Sequence, residues 1–243
     1  DPSDDIPYQA WVDFSNGIKR VHSYLKQAYP HKKIYFSLTV DDYNSQRVYD
    51  FGSSQAAFNV LLQAIQATQS QYLYTRYISA QTWQRENLKL AVDATDVIAV
   101  SAYPYMIYGA KVASIPADYL TRIREIAPLK PFAIAETGYL AEPLVFPDPL
   151  PPGAALQVYA DGTPLGQYQY VSRIFADSQK HKALFINWYV ARDYDNMWEQ
   201  ILKGMPNALL NRLWRDVGLF DGSGAQRWGM ILWQTQLWSG VQR

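Results

Sequence analysis

An α/β fold on a parallel sheet is what this sequence predicts, and three observations carry the prediction. Helical and strand-like segments alternate along the chain. The strand-like segments are near-continuous apolar runs, as expected for strands buried on both faces. The connections between them are long enough to hold crossover helices. With 243 residues, 49% of them hydrophobic and only 18% charged, the chain reads as one ordered domain over 1–243.

In chain order, residues 7–28 form a helix. Pro7 suits a first turn, Trp11, Phe14, Ile18, Val21 and Leu25 recur at helical spacing, and Pro30 stops it. KIYFSLTV (33–40) is a strand, followed by the polar loop DDYNSQ. Residues 56–69 form a helix with Phe58, Leu61, Leu62 and Ile65 on one face. Between 71 and 95, NLKLAVDAT is helical, while YLYTRY suits an extra turn or a short strand. DVIAVSAYP (96–104) is a buried strand, 115–128 a helix with Pro at its first turn, and PFAIAETG (131–138) a second buried strand. Residues 142–166 form a Pro/Gly-rich loop, of the length that in a compact domain carries function or motion. A helix at 166–182, a third buried strand at 183–190 and the exit loop ARDYDN follow. The tail from Asn207 mixes a helix with a Trp-rich ending, whose Trp228, Trp233 and Trp238 read as packing.

Two architectures compete for such a pattern, a (β/α) barrel and an open doubly wound sheet. No G-x-G-x-x-G follows the first strand and no P-loop occurs, so nucleotide binding has no support. Polar groups gather instead at the ends of strands: Ser101-Ala102-Tyr103, Glu136-Thr137 and Asn187-Trp188. In (β/α)8 enzymes the C-terminal strand ends carry the chemistry.

Composition narrows the partners. Lys plus Arg and Asp plus Glu both number 22, for zero net charge. Nucleic acid is therefore not expected, nor is a polybasic membrane contact. No apolar run is long enough to span a bilayer. The absence of Cys excludes disulfides, Cys-ligated zinc and thiol catalysis. His22, His31 and His181 share no ligand spacing, so neither a metal site nor a cofactor is expected. Aromatic residues make up 15% of the chain, which suits a core and also a surface that packs on sugar rings. The opening DPSDDIPYQAW has no initiator Met and no leader pattern; a leader removed or a longer parent chain would each explain it. An exported bacterial protein suits the lack of Cys.

One carboxylate stands out. Of five Glu, only Glu136 ends a buried apolar strand, beside Ala133, Ile134 and Ala135. Placing a carboxylate there costs desolvation unless partners hold it. Glu136 is thus a candidate nucleophile or acid/base, and equally a structural carboxylate held by backbone N–H groups or an Arg. Tyr103 and Tyr105 flank Pro104 at the end of the preceding strand, and Asn187 and Trp188 end the following one. Asp41, Asp42, Asp193 and Asp195 lie on strand-exit loops, where Asp also caps helices and makes turns.

IAETG on one strand, SAYPY on the strand before it and INW on the strand after it resemble the glycoside hydrolases of clan A, in particular the endo-β-1,4-galactanase branch. LWRDVGLFDGSGAQRWG is similar to the ending of such barrels. The resemblance covers about residues 7–235 in order. It implies a (β/α)8 TIM barrel of which this chain is the part covering strands five to eight, and a carbohydrate substrate. It also implies a retaining β-glycoside hydrolase with Glu136 as nucleophile, Tyr103 beside it and Trp188 as floor of the sugar site. The clan's acid/base Glu ends strand four, usually as Asn-Glu. No Asn-Glu pair occurs in this sequence, so the resemblance places that residue before residue 1. An N-terminal segment or a second copy would then complete the barrel. The alternative is a non-catalytic carbohydrate-binding or scaffold relative.

Overall fold

The computed structural model describes residues 8–40, 85–146, 157–205 and 211–241. The helix expected at 56–69, the loop after the first strand, Asp41 and Asp42 lie outside the described residues.

Helix α1 (Tyr8–Ala28) leads to strand β1 (Ser37–Thr39), and helix α2 (Arg85–Asp93) to strand β2 (Ile98–Ala102). Strand β3 (Phe132–Thr137) follows, then a hairpin of β4 (Leu144–Phe146) and β5 (Gln157–Ala160). Helix α5 (Pro164–Lys180) and strand β6 (Ala183–Trp188) close the sequence of strands. The short helices α3 (Tyr105–Tyr108) and α4 (Thr121–Arg124) lie between β2 and β3. After β6 come α6 (Asp195–Gln200) and α7 (Trp228–Val241).

The main sheet has the order β1-β2-β3-β6, and every pairing in it is parallel. Among the described residues the strands of this sheet are laid down in chain order with no reversal, which is barrel-type winding; a doubly wound sheet reverses direction at a switch point. The two faces agree. Ile98, Val100, Ala102, Phe132 and Ile134 join Ile123, Tyr170 and Ile174 in one buried cluster on the helix side. The opposite face carries Val97, Ala99 and Ala133, with Ala135 and Phe185 against them. Small side chains there let the sheet curl. Tyr35, just before β1, meets Phe185 of β6 at 5.7 Å between ring centroids. In a flat sheet those outer strands would stand about 14 Å apart, three strand spacings. The α/β class therefore holds, and the architecture is that of part of a (β/α) barrel.

Asp96 fastens the first unit. It accepts from Ile34 N–H at 2.9 Å and pairs with His22 (3.1 Å) and Lys26 (3.3 Å). Burial opposes its charge, yet these bonds hold the carboxyl below its ordinary value. Behind it, Ile18 of α1 packs on Ala91 and Ala94.

Two expected elements differ. The helix expected at 115–128 is a chain of turns with only α4 as α-helix. Ile115, Tyr119, Leu120, Ile123 and Ile126 are all buried, so the apolar stripe was real. The carbonyls of Ile115 and Pro116, however, accept from the Arg173 guanidinium of α5, and Pro116 O closes a single turn with Tyr119 N–H at 3.1 Å. The loop expected at 142–166 contains the antiparallel β4–β5 hairpin, Leu144 pairing with Ala160. Its LVF and QVYA segments are β-formers that the Pro/Gly-rich stretch between them obscures. Helix α5 starts two residues earlier than expected, because Thr163 caps it by accepting from Gly166 N–H at 3.0 Å and Pro164 enters at the first turn.

Candidate active site

Glu136 sits one residue before the end of β3, on the concave face. A register shift between Val100 and Ser101 sets Ser101 opposite Glu136 and Ala102 opposite Thr137. Thr137 points the other way. Its hydroxyl donates to Ala102 O (2.8 Å) and meets Tyr170 OH of α5 at 2.8 Å. The shift leaves Ala135 as an extra residue of β3 and breaks the alternation there, so that Ala135 and Glu136 both lie on the side away from Thr137, where Glu136 is partly exposed.

The next residue makes room for the neighbours. A Cβ on Gly138 would lie 2.6 Å from Tyr189 O and 3.1 Å from the Tyr103 ring. Only glycine lets the end of β6 and the Tyr103 side chain close over β3 here. Tyr189 N–H donates to Thr137 O at 2.7 Å, which fixes that approach.

Tyr103 donates its hydroxyl to Glu136 Oε1. The ring is 4% exposed and is wedged edge-on between Tyr105 (6.1 Å) and Trp214 (5.9 Å). Burial, then the hydrogen bond and charge of Glu136, push the phenol far above its ordinary value. It stays protonated and remains a donor. Tyr189 shares the neighbourhood: burial first and the Glu136 charge second raise its phenol too. Sequence reasoning missed Tyr189, which lies one position beyond the expected Trp188; the register of β6 against β3 was the signal needed. The arrangement can hold a carboxylate in place through an obligate neutral donor to one of its oxygens while the side chain stays partly exposed.

The remaining expected residues divide. Asn187 is exposed at the end of β6, on the same face as Tyr189 by alternation. Trp188 lies opposite Thr137 and faces the helices. Its indole N–H donates to Val217 O at 2.8 Å and its ring meets Tyr170 (6.1 Å) and Trp233 (5.8 Å). The expected floor of a sugar site is here a partly buried ring packed against the core. Tyr105 is fully buried and its hydroxyl is taken by Leu213 O at 2.8 Å; it backs Tyr103 and does not meet a ligand.

Asp193 also corrects the expectation. Its side chain is fully buried. It accepts from Gly218 N–H at 2.7 Å and pairs with Arg227 at 2.6 Å. Burial dominates and pushes its carboxyl up to about 7, against the pull of Arg227 and the Gly218 N–H. Arg227 also holds Glu142 at 2.6 Å and Gly218 O at 2.9 Å. Asp216 is held by Arg212 and, at 2.7 Å, by Arg215; Arg215 reaches Asp195 at 3.5 Å. Glu142, Asp193 and Asp216 each bring an oxygen within 4.8 Å of the others, the spacing of a cation site. Arg227, Arg212 and Arg215 already supply the positive charge there, so the cluster is a structural ion-pair knot that ties β3's exit loop to residues 212–227.

No family model matches the chain, and no curated protein matches it. Among solved structures it is similar to a glycoside hydrolase family 17 β-1,3-glucanosyltransferase from Rhizomucor miehei, at 16% identity and TM-score 0.36, covering 58% of this chain and 44% of that one. An active-site mutant of Rhizomucor miehei β-1,3-glucanosyltransferase, in complex with laminaritriose, matches at 14% identity and TM-score 0.37 over the same shares. A structure of two fungal β-1,4-galactanases matches at 18% and 0.36, covering 68% of this chain and 43% of that one. The chain spans less than half the length of each.

Proposed function

We propose that this chain supplies the nucleophile side of a retaining β-glycoside hydrolase acting on an oligo- or polysaccharide. The observation that carries the reading is Glu136, presented on the concave face with Tyr103 donating to Oε1. In such a reaction the free carboxylate oxygen of Glu136 attacks the anomeric carbon as the bond to the leaving oxygen breaks. A second carboxylic acid donates its proton to that oxygen, then takes one from the water that hydrolyses the glycosyl-enzyme. Tyr103 holds the carboxylate in its attacking orientation, and Glu136 becomes the stronger acceptor of that hydrogen bond again when the ester is cleaved and charge returns to it.

The proton donor is not assigned among the described residues. Glu142, Asp193 and Asp216 are committed to arginines. An N-terminal segment, a second copy or Asp41 would have to place a carboxyl about 5–5.5 Å from Glu136. Glu136→Gln in the complete protein tests the reading. Hydrolysis of β-linked galactan and glucan oligosaccharides is expected to fall on the order of 10³-fold or more, with sugar binding retained; unchanged turnover would refute it.

A further inference from the structure

The concave face changes character towards the C-terminal ends of its strands. Lower down it is apolar: Val97, Ala99 and Ala133 pack together with Ala135 and Phe185. Higher up, polar groups stand level on three neighbouring strands. Thr39 of β1 pairs with Ser101 of β2, and Ser101 pairs with Glu136 of β3. The register shift between Val100 and Ser101 makes that alignment, since without it Ser101 would stand opposite Ala135. Ser101 Oγ lies 2.5 Å from Ser37 Oγ of β1, so the two serines share this face. Ser37 is exposed and Ser101 half-buried. The reaction assigned to Glu136 and Tyr103 makes no use of this hydroxyl pair.

We propose that the Ser37–Ser101 pair binds a ring hydroxyl of the neutral hexopyranoside whose anomeric carbon Glu136 attacks, and so helps to select the sugar; the inference rests on the reading of Glu136 as nucleophile. Two hydroxyls bonded to each other use one O–H and one lone pair. The second O–H and the remaining lone pairs stay available. A donor and an acceptor offered at one point complement a sugar hydroxyl, which is itself both. Position agrees with this. Neighbouring strands lie about 4.8 Å apart, so Ser101 stands one strand from Glu136, within reach of a hydroxyl on a ring held over that carboxylate. Charge narrows the class. Ser37, Thr39 and Ser101 are neutral and Glu136 is an anion, so a uronic acid or a phosphorylated sugar would meet repulsion with no cation in this row to offset it. Packing alone does not ask for serine here, because alanine fills the same face at positions 99, 133 and 135 without the cost of a half-buried hydroxyl.

The test is kcat/KM of the complete protein for para-nitrophenyl β-D-galactopyranoside and β-D-glucopyranoside and for the monodeoxy derivatives of each, whose phenolate leaves without a donated proton. Ser101→Ala is expected to lower kcat/KM for the parent glycosides about 3–10-fold, and Ser37→Ala by less, with Tm unchanged. For one monodeoxy glycoside the Ser101→Ala loss is expected to disappear, because the hydroxyl that Ser101 meets is already gone. A loss of the same size for every deoxy glycoside would overturn the proposal and make the pair structural. So would an unchanged kcat/KM in Ser101→Ala while Glu136→Gln abolishes turnover, a result that leaves the nucleophile standing. No turnover of either parent glycoside would overturn it too. Unchanged turnover in Glu136→Gln would overturn both the proposal and the reading on which it rests.

Discussion

The cluster of Glu142, Asp193 and Asp216 and the single carboxylate Glu136 are treated in opposite ways by this fold. Behind β3 and β6, Asp193, Asp216 and Glu142 are matched by Arg227, Arg212 and Arg215. At the open end of β3, Glu136 faces the phenol of Tyr103, a neutral donor, and is partly exposed. A guanidinium cancels a carboxylate's charge and fixes its geometry, which suits a clamp. A phenol orients a carboxylate and leaves it nucleophilic. The kind of partner, more than the acidity of the residue, separates structure from chemistry here.

The largest effect expected from breaking that contrast is in the knot. Arg227→Ala leaves two carboxylates without their cation and is expected to cost about 3–5 kcal/mol in denaturant unfolding. Asp193→Asn, which removes a charge the fold already disfavours, is expected to cost clearly less. A comparable loss for both would mean that Asp193 is held as a required anion. Next comes Tyr103→Phe. Losing a hydrogen bond to a charged group is worth about 1.5–3 kcal/mol, so turnover is expected to drop about 10–100-fold. An effect on stability alone would make Tyr103 a packing residue. Third is the pH dependence of unfolding. With the Asp193 carboxyl pushed up to about 7 and an unfolded value near 4, the folded state binds a proton that the unfolded chain has released. Its contribution therefore falls as pH rises across that window, and Asp193→Asn is expected to flatten the slope. The smallest effect belongs to Asp96, whose lowered carboxyl value works in the other direction. Its contribution is complete above the ordinary carboxylate range and is lost as pH falls through the folded value. Asp96→Asn is expected to cost about 1 kcal/mol near neutral pH.

β2 and β3 were legible because burial on both faces gives near-continuous apolar runs, 96–104 and 131–138; the third such run, 183–190, does contain β6, but as a partly exposed edge strand of the described sheet and not the buried strand expected. Glu136 was legible for the same reason, as a charge where that pattern admits none. What the sequence concealed depends on register and on distant partners. Shifts between Phe132 and Ile134 and between Ile134 and Thr137 break the simple alternation that would have told Trp188 from Tyr189. Nothing near Asp193 in sequence announces Arg227. Tyr105 looks equivalent to Tyr103 until Leu213 O claims its hydroxyl. In the tail, Trp228, Trp233 and Trp238 have the same local composition, and only the packing of α7 on α5 separates the partly buried Trp233 from the exposed two.

The central claim is that Glu136 is the nucleophile. The most direct measurement is to incubate the complete protein with fluorinated β-glycosides that trap the glycosyl-enzyme, digest it, and locate the added sugar by mass spectrometry. A covalent sugar on Glu136, absent in Glu136→Gln and reduced in Tyr103→Phe, is the expected result. A sugar on another carboxylate, or turnover that no trap interrupts, would contradict it.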